Sequence, residues 1–180
     1  GSFADGNGGR DFGIDQIVDF SKVGNEYVFV KGNGGATGNS WENVLVVAHQ
    51  DNTDIFIGAN TTVEATINAG EWYVIEGNEY STNGNLYVQT SNPVFAYQGI
   101  GGQVGSVPNQ GMFFVPPLSC ENRGDVDNIA SIDQMGDAIF SGGVSIVTNK
   151  LATITINGLP ITDFSPEGPF SVDGNPGYET

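Results

Sequence analysis

The sequence predicts an all-β protein: a β-sandwich of mainly antiparallel strands built from two related halves, with a barrel or propeller-like array as the second architecture. Three observations carry this. Apolar and polar residues alternate with period two over short runs, the signature of half-buried strands. Those runs are punctuated by Asn, Asp, Gly and Pro, and the chain holds 27 glycines. A stretch near the N-terminus is partly repeated near the C-terminus. No segment of ten or more residues carries a helical period, and only Ile129 to Met135 could form one short turn.

In chain order, strands are expected at 26–31, 44–49, 54–57, 63–67, 71–76, 85–90, 94–99, 111–115, 143–148 and 152–156. Turn chemistry separates them: Asp51-Asn52-Thr53, Asn68-Ala69-Gly70, Asn83-Gly84-Asn85, Ser91-Asn92-Pro93 and Asn157-Gly158. The repeat aligns 14–24 with 126–136, Val44–Val47 with Val144–Val147, 54–57 with 153–156, and more weakly 70–74 with 168–172. The first copy carries a Gly/Asn insertion, 32–43. The expected organisation is a flexible or calcium-loop-like segment 1–13, one β domain 14–172 (copies 14–110 and 126–172) and a tail 173–180. The second copy has nothing matching 86–98, so either the chain continues past Thr180 or the copies exchange strands, and continuation is the expectation. Gly1-Ser2 reads as a cloning remnant, so the chain is expected to be part of a larger one.

Composition narrows the function. Charged residues are 14%, yet Asp and Glu outnumber Lys and Arg by 21 to 5, a net charge of −16. Such a surface repels nucleic acid and anionic membranes and attracts cations. Its plainest role is solubility. No apolar run is long enough to span a membrane as a helix. The lone cysteine, Cys120, excludes an internal disulfide and reads as a small buried hydrophobe. The lone histidine, His49, sits at the end of an apolar run and leaves little choice of base for nucleophilic hydrolysis. There is no Gly-x-Ser-x-Gly elbow, and Gly99-Ile100-Gly101-Gly102 follows a strand without opening a helix. With so many acids, a pair of nearby carboxylates carries no weight as a glycosidase signal. No catalytic residue is expected, and the chain reads as non-enzymatic.

The segments EYVFVKG, VLVVAHQDNTDIFIG, INAGEWYVI, LYVQTSNPVFAYQ and FFVPPLSC together resemble the N-terminal-like domain of IgGFc-binding protein, of the kind found in bacterial, Bacteroidetes-type, secreted and cell-surface proteins. The resemblance spans roughly Ile14 to Ile161. It implies an extracellular all-β module with a binding or adhesive role. It supplies no catalytic motif and no ligand, and antibody Fc binding is not carried over with it.

Three groups of residues are candidate sites. Trp41 and Asn39, within the polar insertion, and Tyr80 are candidates for stacking on and hydrogen bonding to a glycan. The alternative for Trp41 is a loop plug packed over the sheet. Trp72 and Tyr73 are adjacent, so a strand would turn one of them inward. Asp5, Asn7 and Asp11 have calcium-loop spacing, so Ca2+ is the one cofactor considered, but the downstream bidentate Glu of an EF-hand is missing. The plainer reading is a flexible Gly-rich stretch. Arg123-Gly124-Asp125 is a receptor-motif tripeptide of a kind that recurs by chance. The matched Asp15 and Asp127 suit backbone N–H capture at a turn. The resulting expectation is a binding or adhesion module whose partner is a glycan or another cell-surface or matrix polymer, without nucleic acid or membrane insertion. A structural spacer in a large surface protein is the alternative.

Overall fold

A computed structural model of the chain describes residues 4–6, 9–11, 15–32, 42–100, 111–119, 129, 134–135, 137–139 and 143–180. It is an all-β, antiparallel structure without α-helix among the described residues. The strands are β1 (Ala4–Gly6), β2 (Gly9–Asp11), β3 (Gly24–Val30), β4 (Asn43–Ala48), β5 (Thr53–Ile57), β6 (Ala65–Ile67), β7 (Trp72–Glu76), β8 (Asn85–Ile100), β9 (Gly111–Phe114), β10 (Gln134–Met135), β11 (Ala138–Ile139), β12 (Thr148–Asn149), β13 (Thr155–Ile156), β14 (Leu159–Pro160) and β15 (Tyr178–Glu179).

Seven of these, β3 to β9, form one sheet in the order β6-β5-β8-β4-β7, with β3 and β9 pairing on the other side of β8. The strands at the two ends of that path, β6 and β7, follow each other in the chain. The Tyr73 hydroxyl on β7 reaches back to Glu64 Oε1 beside β6, at 2.9 Å. The sheet therefore curls most of the way round, nearer the barrel alternative than two facing layers. Alternation sends Tyr27, Phe29, Val44, Val46, Ile55, Ile75, Leu86, Val88 and Val94 to the inside, where they form the main core.

β8 organises the sheet, and here one expectation is corrected. Ser91-Asn92-Pro93 is not a turn between two strands; 85–100 is continuous. The reason is a change of partners. The first half of β8 pairs with β3 and with β5 up to Thr90, whereas the second half pairs with β4 from Val94 onward. On the β3 side the register slips between Gly24 and Glu26, a β-bulge. Pro93 falls in the gap, where its missing N–H breaks no ladder bond. Side chains bridge the same gap: Asp54 N donates to Ser91 Oγ at 2.8 Å, and Thr90 Oγ1 donates to the Asn92 carbonyl at 2.7 Å.

Tyr27 clamps the bulge from inside. Its hydroxyl lies 2.6 Å from the Val94 carbonyl and accepts the Gly24 N–H at 2.9 Å. Burial disfavours the phenolate and pushes the Tyr27 pKa from the ordinary 10.0 up to about 12. The folded state thus holds this proton more tightly than the unfolded chain. The associated stability is complete below about pH 10 and is lost as the pH climbs through about 12. Two pKa units correspond to about 2–3 kcal/mol. Buried Tyr80 shifts in the same direction, by burial first and the Glu42 carboxylate second. Chemical denaturation repeated between pH 9 and pH 12 is expected to show the midpoint falling across this window. A flat midpoint would contradict it.

The C-terminal part differs from its matched residues. Val144–Val147, matched to β4, lies in no strand, and of 153–156, matched to β5, only the two residues of β13 pair, with β14. The strands expected at 143–148 and 152–156 thus shorten to β12 and β13. Most of 126–136, the opening of the second copy, lies outside the described residues, as does Cys120. The tail 173–180 is no free linker. Phe170 and Thr180 exchange backbone hydrogen bonds at 2.9 Å, and β15 pairs with β12. Val172 and Tyr178 pack with Leu118 on Val28 and Tyr87, the outer face of β3 and the first half of β8.

Candidate functional site

The other half of the sheet's outer face is apolar and only partly covered. Register places Trp72, Val47 and Phe95 in one row across β7, β4 and β8, on one side of the sheet. The next row on the same side is Val74, Leu45, Tyr97 and Phe114. Tyr97 is buried in this second row, edge-on to Phe114 at 5.8 Å between ring centroids. Trp72 stands 66% exposed.

The segment 15–23 lies across one end of these rows. Asp15 Oδ1 accepts the Gln16 N–H at 2.7 Å, and its Oδ2 accepts the N–H of Phe114 on β9. This is the backbone-capturing role that its position suggests. Asp19 opens the short 3-10 turn Phe20–Lys22, accepting the Ser21 N–H at 2.8 Å, and that bond holds its carboxyl below the usual range. The turn sets the Phe20 ring 4.9 Å from His49 and 5.4 Å from Phe95, with 63% of Phe20 still exposed. His49, just past the end of β4, lines the patch, and its Nε2 is buried without a hydrogen-bond partner among the described residues.

A polar rim borders the row beyond Trp72. Two loops knit together there. Ala69 N donates to Asp51 Oδ1 at 3.1 Å, and Asn52 N to Asn68 Oδ1 at 3.2 Å. Asn68 N donates to Glu71 Oε2 at 2.8 Å, and Gly70 N to the Ala48 carbonyl at 2.9 Å. The rim is rigid because its backbone donors are tied to its own side chains. Gln50, Asn52 and Asn68 are all exposed in these loops. Tyr73, on the opposite side of β7, packs against the core, and its bond to Glu64 raises its phenol pKa.

The residues singled out in the sequence fall elsewhere. Tyr80 is a correction: it is only 9% exposed and belongs to the main core, so it offers no face to a ligand. The 3-10 turn Gly77–Glu79 and the bond from Ser81 N to the Asn85 carbonyl (2.8 Å) fold it inward. Trp41 and Asn39 lie outside the described residues, as do Asn7 and Arg123-Gly124-Asp125. Asp5 and Asp11 sit on the β1–β2 ladder, where Asp5 pairs with Arg10 and Asp11 with Ala4. Among the described residues, no three His, Cys, Asp or Glu side chains are grouped as metal ligands. The residue that sequence reasoning missed is Trp72. Its signal was present in the Trp-Tyr pair, but alternation alone does not tell which of the two faces out.

Fold and site together define an antiparallel β protein with a partly covered apolar row that ends in the exposed Trp72 and is bordered by a hydrogen-bonding rim. The family model described as IgGFc binding protein matches residues 2–179, and the chain belongs to that family. No curated protein and no solved structure matches it. Among the described residues no helix is long and apolar enough to cross a membrane.

Proposed function

We propose that the chain is a non-catalytic binding module of a secreted or cell-surface protein, and that the Trp72 row takes a glycan or a comparable surface polymer. The observation that carries this reading is a tryptophan two-thirds exposed on a rigid strand, in line with Val47 and Phe95. Leaving so large an apolar ring in water is unfavourable unless something covers it. A pyranose ring stacks on such a face, while Gln50, Asn52 and Asn68 supply donors and acceptors for hydroxyls. Membership of a family described by binding supports the same class.

The test is retention on a panel of neutral and anionic polysaccharides, with an IgG Fc fragment as the protein probe that the family description suggests. Trp72→Ala should weaken polysaccharide retention at least about tenfold, the loss of roughly 1.4 kcal/mol of stacking. Because Trp72 is exposed, the melting temperature should stay where it is. Retention untouched by Trp72→Ala would remove the site. Retention of Fc alone would move the ligand class from glycan to protein. No retention of any probe would leave the spacer role.

A further inference from the structure

We propose that Asn60 is an attachment site for an N-linked glycan. Asn60-Thr61-Thr62 is the only Asn-x-Ser/Thr triplet in the chain. Such a triplet is an acceptor signal where it lies on an accessible loop of an exported protein. This one falls in the connection between β5 and β6, and residues 59–64 are all exposed. The inference goes beyond the Trp72 site and rests only on the extracellular part of the reading above.

The loop fixes the acceptor amide. Asn60 N donates to the Ile57 carbonyl at 3.2 Å, closing a turn in which Gly58 takes φ +62°. The Thr62 N–H donates to Asn60 Oδ1 at 3.2 Å, an Asx-turn. One arm of the amide is thereby tied to the backbone, and Nδ2 is the arm left to meet a donor. The donor class is a lipid-linked oligosaccharide diphosphate. Asn60 Nδ2 bonds to the anomeric carbon of its first sugar as the sugar–phosphate bond breaks. The electron pair of that bond leaves with the diphosphate, and Nδ2 gives up one proton.

The fold accommodates the product. β5 separates the loop from the rim beside Trp72: Asp51 and Asn52 precede that strand and Asn60 follows it. Its five residues set the two about 17 Å apart, so a glycan on Asn60 leaves the Trp72 row open. Within the loop Val63 is 42% exposed, and a hydrated sugar chain three residues away gives it a cover that the fold does not. The same chain stands beside β6, which ends the strand order of the sheet, and hinders edge-to-edge pairing there.

The experiment is mass mapping of the protein recovered from the cells that make it, with material outside the cell compared with material inside. Fragments of the exported protein that contain Asn60 are expected to carry the added mass of an oligosaccharide. Peptide N-glycosidase should remove that mass and leave Asp at position 60. Asn60→Gln and Thr62→Ala should abolish the increment, whereas Thr62→Ser, which keeps the hydroxyl, should retain it. Both positions are exposed, so all three variants should fold as the parent does. An exported protein with Asn60 unmodified overturns the proposal and leaves the extracellular reading standing. A protein found only inside the cell with Asn60 unmodified overturns both. A mass increment that survives Asn60→Gln or Thr62→Ala places the sugar elsewhere and overturns the assignment to Asn60.

Discussion

Replacing Gly174 by alanine should cost about 3 kcal/mol and release the C-terminal hairpin from the sheet. A Cβ built at Gly174 meets the backbone of Gly58 at 2.3 Å from its carbonyl carbon and 2.4 Å from its oxygen. Backbone cannot rotate aside as a side chain can. Gly58 is itself fixed, at φ +62° with its N–H bound to the Tyr87 carbonyl at 2.8 Å. Gly174 also has φ +89°, where a β-carbon adds roughly 1–2 kcal/mol of strain. Forcing an extra methyl into packed structure typically adds about 1–3 kcal/mol. The chain escapes by lifting residues 168–180 and giving up the burial of Val172 against Val28 and Tyr87. The melting temperature should fall by about 6–12 °C, and proteolysis should begin in the C-terminal hairpin. Gly158→Ala is the control. Its φ is +78°, but nothing lies within 4 Å of the added carbon, so only the strain remains. Equal losses in the two variants would show that the close approach to Gly58 is not what matters.

Tyr27→Phe is expected to destabilise the fold by about 2–4 kcal/mol, although only one oxygen is removed. Tyr27 is fully buried, so no water can replace it. Without its hydroxyl, the Gly24 N–H and the Val94 carbonyl lose their partner at the bulge where β3 rejoins β8. A buried polar group left unmatched costs about 1–3 kcal/mol. The ring itself keeps its place, stacked on Phe29 at 6.1 Å between centroids. The same variant should blunt the alkaline loss of stability described above, because the phenol proton that the fold retains is then absent. Denaturant midpoints for both proteins at neutral pH and above pH 10 check the two effects together. A variant as stable as the parent would mean that the bulge is held by the ladder alone.

Much of the sheet was legible in the sequence, because its strands have one wet and one dry face. Val44, Val46 and Ala48 alternate with Leu45 and Val47, and the dry set is the core of β4. The same pattern located β3, β5, β7 and both halves of β8. It failed where the environment is set by distant residues. Pro93 reads as a break, yet the strand passes through it, since β5 ends and β4 begins on its flank. The tail reads as a linker, yet Gly174 lets it fold tightly onto Gly58. The apolar runs at 143–156 read as strands, yet among the described residues they pair for only two residues at a time.

The site divides the same way. By itself the sequence determined that the chain is all-β, acidic, poor in groups for bond-breaking and equipped with aromatic residues beside amides, because composition and alternation are local properties. Which aromatic meets the solvent was decided only in three dimensions. Pairing Val47 with Trp72 and Val46 with Tyr73 turns the tryptophan out and the tyrosine in, and a slip of one residue would reverse them. Tyr80 went inward for a similar reason, carried by a turn into a core assembled from strands far along the chain.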